Sequence, residues 1–480
     1  MTNLQMRMLA TELADIVGRE QVLTDPVDRL CYGVDVFWVP RLLIDRGETP
    51  PTPELVVLPG TGTEVAAVVQ LANRYHVPVV PWGGGSGSQG GIIPLEGGIT
   101  IDLKRLCRIV EISETNGTVT AEAGINGFAL ECALNERGLT LPNYPASVHS
   151  ATLGGYLAAR GSGVISTKYG KAEDMVLSVQ VVLPTGDLIR TLPFPTHAAG
   201  PGILQLFVGA EGSYGIVTEA TMRVERLPET RRFHALMFDR LGDGLEAGRQ
   251  IMLARLQPIV IRLYDEVSTV KVVKRTLGTD VTGGAYMVIG FDGSEAAVEF
   301  AERQALAIAA SVGGCSLGRE PAEDWWNRRF DFYFPPHAPD FPAMFGTLDT
   351  LTTFDRIERL YETKKERLER TFAEWGLVYY AHFSHWFPWG VMVYDRFHIE
   401  DPPADSFEAL ALHNDIWNLG ARTSVECGGV LNEHHGVGLK LARLMREQYG
   451  PAFQVLEGLK HVLDPRMILN PGKMGFQPPR

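Results

Sequence analysis

The segment Pro81-Trp-Gly-Gly-Gly-Ser-Gly-Ser-Gln-Gly-Gly91 constrains the fold of this chain more than any other. It follows Val77-Pro-Val-Val80, an apolar run that reads as a buried strand, and no long helix pattern comes after it. The next patterned segments, Ile99-Thr-Ile-Asp-Leu103 and Thr118-Val-Thr-Ala-Glu-Ala123, are again strand-like. A P-loop or a GxGxxG fingerprint needs its loop to open a helix whose N-terminus holds the phosphates. Here successive glycine and serine N–H groups must form the anion cradle themselves, or the segment is an ordinary glycine-rich surface loop. Strand, glycine loop, strand signals a diphosphate ligand only if further contacts for it appear downstream.

Three more glycine-punctuated segments do appear. They are Pro145-Ala-Ser-Val-His-Ser-Ala-Thr-Leu-Gly-Gly155, Ala159-Arg-Gly-Ser-Gly163 continuing to Tyr169-Gly170, and Gly209-Ala-Glu-Gly-Ser-Tyr-Gly-Ile-Val217. Each offers backbone N–H groups and small hydroxyls where a large, polar, planar ligand can approach the main chain.

A length of 480 residues suggests two or three domains with large cores. The net charge of −13, with no basic run, argues against a nucleic-acid partner. No segment approaches the roughly 18 apolar residues of a membrane span, and Met1 to Val22 is an amphipathic helix pattern with acidic residues rather than a secretion signal. Five scattered cysteines without a CxxC pair read as buried small hydrophobes in a reducing compartment. The expected location is cytoplasmic and the expected partner is a small-molecule substrate, with a homodimer left open.

Residues 1–50 read as a helical arm and coil, and 51–228 as a domain of strand, helix, strand and loop. After Pro228 the texture changes to βαβ-type units across 229–430, and 431–480 is expected to return to the first domain. The fold class is α+β.

At this point the sequence resembles the FAD-binding oxidoreductases of the vanillyl-alcohol oxidase, or p-cresol methylhydroxylase, type. Within that superfamily it is most similar to alkylglycerone-phosphate synthases and D-2-hydroxyacid dehydrogenases. The resemblance spans about Glu54 to Arg226 and weakens onward to Gly475. It implies a two-subdomain FAD-binding domain plus an α+β substrate (cap) domain. The FAD site it implies comprises Pro81, Trp82, Gly83, Gly84, Gly85, Ser86, Gly87, Ser147, Thr152, Gly154, Gly155, Arg160, Gly161, Ser162, Tyr169, Glu211, Gly212, Gly215, Ile216 and Val217. Ser86 stands where some members carry a flavin-linking histidine, so FAD is expected to be held non-covalently.

Four features of the second half bear on the substrate. Arg262, at the end of the strand-like Val260-Ile-Arg-Leu-Tyr264, either pairs with Asp265 or Glu266 or binds a carboxylate or phosphate substrate. The synthases carry an arginine in a very similar context. His382 and His385 raise a metal role, since related hydroxyacid dehydrogenases bind a divalent metal hereabouts. That His-x₆-His segment is disrupted here, Tyr394 falling at or near its second histidine; no metal is expected, and His382, His385, Trp386 and Trp389 are read as pocket lining. Tyr394 also matches an acid/base tyrosine of the synthases. Finally, Glu433-His434-His435-Gly436 resembles the three histidines of the synthases and the Glu-His of the dehydrogenases. Adjacent histidines can take the proton of an alcohol or can simply bond backbone carbonyls. The expected activity is oxidation of a CH–OH carbon of a hydroxy acid or aryl alcohol, by hydride transfer to flavin N5. The expected catalytic residues are His434, His435, Tyr394 and Arg262. The alternatives are a synthase-like, non-redox exchange of acyl for alkoxy, a phenol oxidase, and a flavin-binding scaffold without catalysis.

Overall fold

A computed structural model describes residues 3–278, 281–331 and 343–476. Three sheets organise it. The first joins Leu55–Val57, Ile99–Asp102 and Val79–Trp82 in parallel, with Val22–Leu23 antiparallel at its edge. Its crossover helix Gly62–Tyr75 starts where the Thr61 hydroxyl accepts the Glu64 N–H, and it buries Val65, Val68, Val69, Leu71 and Ala72. The glycine segment after Trp82 runs as a loop directly into the next strand, as its sequence pattern requires.

The second sheet is antiparallel, in the order Ile109–Ser113, Thr118–Glu122, Ile216–Arg223, Val176–Val182, Leu188–Arg190. The glycine-rich stretch after residue 150 contains a helix that the pattern does not announce, Leu153–Ala159. The Thr152 hydroxyl caps it by accepting the Gly155 N–H at 3.3 Å.

The third sheet has seven strands, all pairing antiparallel. The βαβ reading of this half is corrected in one respect. Thr230–Phe238 and Val260–Tyr264, joined by the helix Leu241–Leu253, do not pair with each other. Ala285–Gly293 lies between them and pairs antiparallel with both, so the unit is a split βαβ. The largest apolar cluster sits between this sheet and its helices.

The N-terminal segment packs on both halves. Leu9 and Leu13 enter the core under the first sheet, whereas Trp38 and Leu42, on the helix Trp38–Asp45, enter that of the seven-stranded sheet. The cysteine expectation fails. Cys31, Cys107, Cys132 and Cys315 are exposed and Cys427 is half-buried, all as free thiols. Cys315, for example, lies on an edge strand whose first three residues are exposed. At the C-terminal end the chain returns to the first sheet: Val79 N–H donates to Ile468 and Asn470 N–H donates to Val79.

Candidate active site

A cavity of about 570 Å³ opens between the two glycine-rich sheets and the seven-stranded sheet. Its first wall is the loop Gly83–Gly87, with Ser147, Thr152, Gly154, Gly155, Gly161 and Ser162 beside it and Glu211, Gly212, Gly215, Ile216 and Val217 beyond, above Pro81 and Trp82. The backbones pack so closely that a Cβ at Gly84 would overlap the Ser150 carbonyl oxygen. Four glycine segments spread over residues 81–217 thus converge on one apolar-walled slot lined with main chain. Those features fit a long, flat, diphosphate-bearing cofactor.

Two residues expected in this wall stand outside it. Arg160 takes a left-handed backbone (φ 54°) at the end of its helix, where its Nε donates to the Val208 carbonyl and pairs with Glu173. The Tyr169 hydroxyl donates to Asp292 at 2.8 Å.

The opposite wall is one face of the seven-stranded sheet. Alternation along each strand puts Phe345 and Thr347, Tyr394 and Arg396, and Tyr380 and Ser384 on the cavity side, with Arg262 on a neighbouring strand. Arg262 is buried, and its guanidinium lies 5.7 Å from the Trp325 ring centroid. The carboxylate of Asp265 is engaged by Ser268 N–H, Ala381 N–H and the Tyr361 hydroxyl. His382 shares the sheet face of Tyr380 and Tyr394 and stacks on Tyr394 at 4.7 Å, in a small adjoining cavity with Arg262 and Arg396. Burial, reinforced by Arg262 and Arg396, holds its pKa well below the ordinary histidine value.

Of the four residues expected to line a pocket, His385 lines this cavity, His382 the small one beside it, and Trp386 and Trp389 neither. Trp386 points to the other face, into the core, where its ring packs on Gly248; Trp389 sits exposed near the hairpin tip, stacked on Phe387. A bulge between Phe383 and Trp386 shifts the register there, and a tip residue has no facing strand to cover it.

The chemistry concentrates in the loop after Val430. His434 and His435 line the cavity with their rings 4.0 Å apart. Beneath them is Asp349, fully buried on the strand Met344–Thr353 and unsuspected from sequence. Its Oδ2 accepts the backbone N–H of both Glu433 and His434 at 2.8 Å, and its Oδ1 lies 2.7 Å from His435 Nδ1. His434 Nδ1 is 3.1 Å from Asp349 Oδ2 and 2.8 Å from Glu433 Oε2. Glu433 extends the network: Oε2 is 2.7 Å from His385 Nδ1, and Oε1 is 3.0 Å from Lys171 Nζ. Lys171 also donates to the Glu433 carbonyl at 2.7 Å. Asp349–His434–His435 and His385–Glu433–His434 each bring three potential metal-ligand atoms within 4.8 Å of one another, but these atoms lie at ion-pair distance from each other and Lys171 already brings a cation.

The two adjacent histidines differ electrically. Burial opposes charge on His434, but Asp349 and Glu433 outweigh it and raise its pKa to about 9. Burial dominates at His435, which faces Asp349 but also the charged His434, and its pKa is lowered. Burial works against ionised Asp349 and Glu433 too. The neighbouring histidines, with Lys171 at Glu433, overcome it and hold both carboxyls well below their ordinary values. At neutral pH the site therefore presents a cationic His434 beside a neutral His435.

Two outcomes test this description. Gly84→Ala should cost FAD content, because overlap with backbone cannot be relieved by a rotamer change and overpacking costs about 1–3 kcal/mol; one bound FAD per chain in the purified variant would show the close approach to be dispensable. His434, its folded pKa raised above the unfolded value of about 6.5, contributes stability that is complete below pH 6.5 and is lost as pH rises through about 9. The melting temperature should therefore fall more steeply between pH 7 and pH 9.5 in the wild type than in His434→Gln, and parallel curves would contradict the charged assignment.

The comparisons with known proteins agree with the cavity. Residues 53–192 match the FAD binding domain and residues 227–474 match the C-terminal domain of FAD linked oxidases. An alkyldihydroxyacetonephosphate synthase of Dictyostelium discoideum is 30% identical over 95% of this chain and 78% of its own length. A probable mitochondrial D-lactate dehydrogenase of Danio rerio is 29% identical, over 88% of this chain and 84% of its own. The crystal structure of p-cresol methylhydroxylase with substrate bound superposes with a TM-score of 0.78 at 17% identity, over 99% of this chain and 98% of that one, which establishes the shared fold. The chain belongs to the FAD-linked oxidase family, as an FAD-binding oxidoreductase built on the vanillyl-alcohol oxidase type of α+β fold.

Proposed function

We propose that this enzyme oxidises a CH–OH carbon of a small organic substrate, a hydroxy acid or an aryl alcohol, with FAD held non-covalently. The observation that carries the reading is the unequal histidine pair in the cavity wall. Oxidising an alcohol to a carbonyl removes one proton and one hydride. Bound FAD supplies the hydride acceptor. His435, neutral at working pH and open to the cavity, accepts the hydroxyl proton, since general-base catalysis favours a group with a pKa near or below the operating pH. His434, with its charge fixed, stabilises the oxygen as negative charge develops on it. Arg262 and Arg396 line the same cavity and give it the positive field an anionic substrate needs. The absence of histidine from the loop Pro81–Gly91, with Ser86 in it, supports non-covalent FAD.

A synthase-like, non-redox reaction is the second reading, favoured by Arg262 and Tyr394 facing the same cavity as the histidines. Against it stands Glu433, a carboxylate at the first position of what the synthases have as three histidines. It is consumed here by His385 and Lys171.

Anaerobic mixing with candidate hydroxy acids and aryl alcohols should bleach the flavin absorbance. A substrate turned over without bleaching would favour the non-redox reading. His435→Asn should slow flavin reduction in stopped flow by at least about a hundredfold. Arg262→Ala should raise KM strongly at unchanged FAD content, because truncating one partner of a buried charge pair costs about 2–5 kcal/mol. Acid precipitation should leave free FAD in the supernatant; flavin retained on the chain would mean a covalent link.

A further inference from the structure

Asp349 does more than fill a gap beneath the histidines. Its carboxylate is fully buried and each oxygen has distinct partners: Oδ2 takes two backbone N–H groups and Oδ1 takes His435 Nδ1. We propose that Asp349 is a positioning residue that fixes the tautomer of His435, keeping its proton on Nδ1 and turning a lone pair on Nε2 towards the cavity. The kinetic part of this proposal rests on the oxidation reading above; the tautomer itself does not.

The argument is one of donors and acceptors. An ionised carboxylate can only accept, so the ring nitrogen 2.7 Å from Oδ1 must donate. A neutral imidazole has one N–H, and with that proton on Nδ1, Nε2 is left as the basic nitrogen. His435 lines the cavity while its Nδ1 faces the buried strand, so Nε2 is the nitrogen available to a substrate. The loop holds this arrangement from its other side, where the Asn432 side-chain carbonyl accepts the His435 N–H at 2.8 Å.

Replacing Asp349 with its isosteric amide gives a directional outcome. Asparagine has one oxygen and one NH₂ where aspartate has two oxygens. The Oδ2 position faces the N–H groups of Glu433 and His434, two donors that cannot turn away, so the amide oxygen must occupy it. The NH₂ then falls at the Oδ1 position and donates to His435 Nδ1. His435 is forced to carry its proton on Nε2, which removes the base while the ring stays in place. His434, which faces Oδ2 and also Glu433, keeps acceptors on its Nδ1 side.

The test uses the FAD-loaded enzyme in two arms. In the first, histidine-selective ¹⁵N labelling reads the tautomer by NMR, with assignment by loss of the signal in His435→Asn. The wild type should show His435 protonated on Nδ1 at pH 7.5, and Asp349→Asn should show it protonated on Nε2. Wild-type His435 protonated on Nε2 overturns the proposal, even if Asp349→Asn does not fold. In the second, Asp349→Asn should slow flavin reduction at least about a hundredfold with FAD content unchanged. The same substitution in a His435→Asn background should slow it much less than in the wild type, the remaining loss being that of the Asp349 charge at His434. Full additivity of the two losses overturns the positioning role. If no alcohol reduces the flavin, the oxidation reading fails alone, and the tautomer arm still decides the role of Asp349.

Discussion

The site depends on an irregular loop that two buried carboxylates hold from opposite sides. Residues 432–438 belong to no helix or strand, yet they carry Glu433, His434 and His435. From the seven-stranded sheet, Asp349 accepts the N–H groups of residues 433 and 434; from the glycine-rich half, Glu211 accepts those of 437 and 438. Hydrogen bonds to charged groups contribute about 1.5–3 kcal/mol each and neutral ones about 0.5–1.5; Asp349 is ionised and burial raises the Glu211 pKa to about 7, so two bonds of the first kind and two intermediate ones define a loop that has no ladder of its own. The clamp also spans the cavity, so the histidines are registered against both walls at once. Gly436 is required by it: its left-handed φ of 80° lets the chain turn between the clamps, and a Cβ there would strike the Glu211 carboxylate.

Much of the cofactor half was legible because its signals are local. Glycine where a Cβ cannot fit, alternation in strands and a threonine at a helix start each act within a few residues, and the loop Pro81–Gly91 meets its expected neighbours. His434, His435, Tyr394, Arg262 and His385 were likewise visible as polar residues in unusual settings, and all five face the cavity. Asp349 left no such trace. In Thr347-Leu-Asp-Thr-Leu351 it reads as one polar residue in an alternating strand, and only pairing with the strand Gly390–Ile399 puts it opposite Tyr394 and under the histidines. Arg396 is hidden in the same way, two residues along that strand from Tyr394. Lys171 reaches Glu433 across 262 positions of sequence, a contact that no local pattern carries.

The failed expectations share a cause. Trp386 and Trp389 read as pocket lining in the sequence, but strand register decides the face, and the bulge after Phe383 changes it. Small apolar thiols are often core, which is what the cysteines suggest in the sequence; on an edge strand or an outward helix face that preference has nothing to act on. Side-chain type constrains chemistry, whereas placement relative to the sheet decides whether that chemistry reaches a ligand.

Adjacency of the two histidines itself explains why they can differ. Two imidazoles with ring centroids 4.0 Å apart cannot both hold a charge without mutual repulsion, so the carboxylates around them decide which one does. Glu433 contacts His434 directly and acts on His435 only at longer range, and this additional carboxylate breaks the symmetry left by the shared Asp349. A third imidazole at position 433 could not do so; it would add a further competitor for the same proton and leave Lys171 with Glu173 alone as counter-ion. The carboxylate at that position therefore sorts one charged and one neutral imidazole from two identical side chains. That division suits the removal of a proton from an alcohol whose oxygen must at the same time be held.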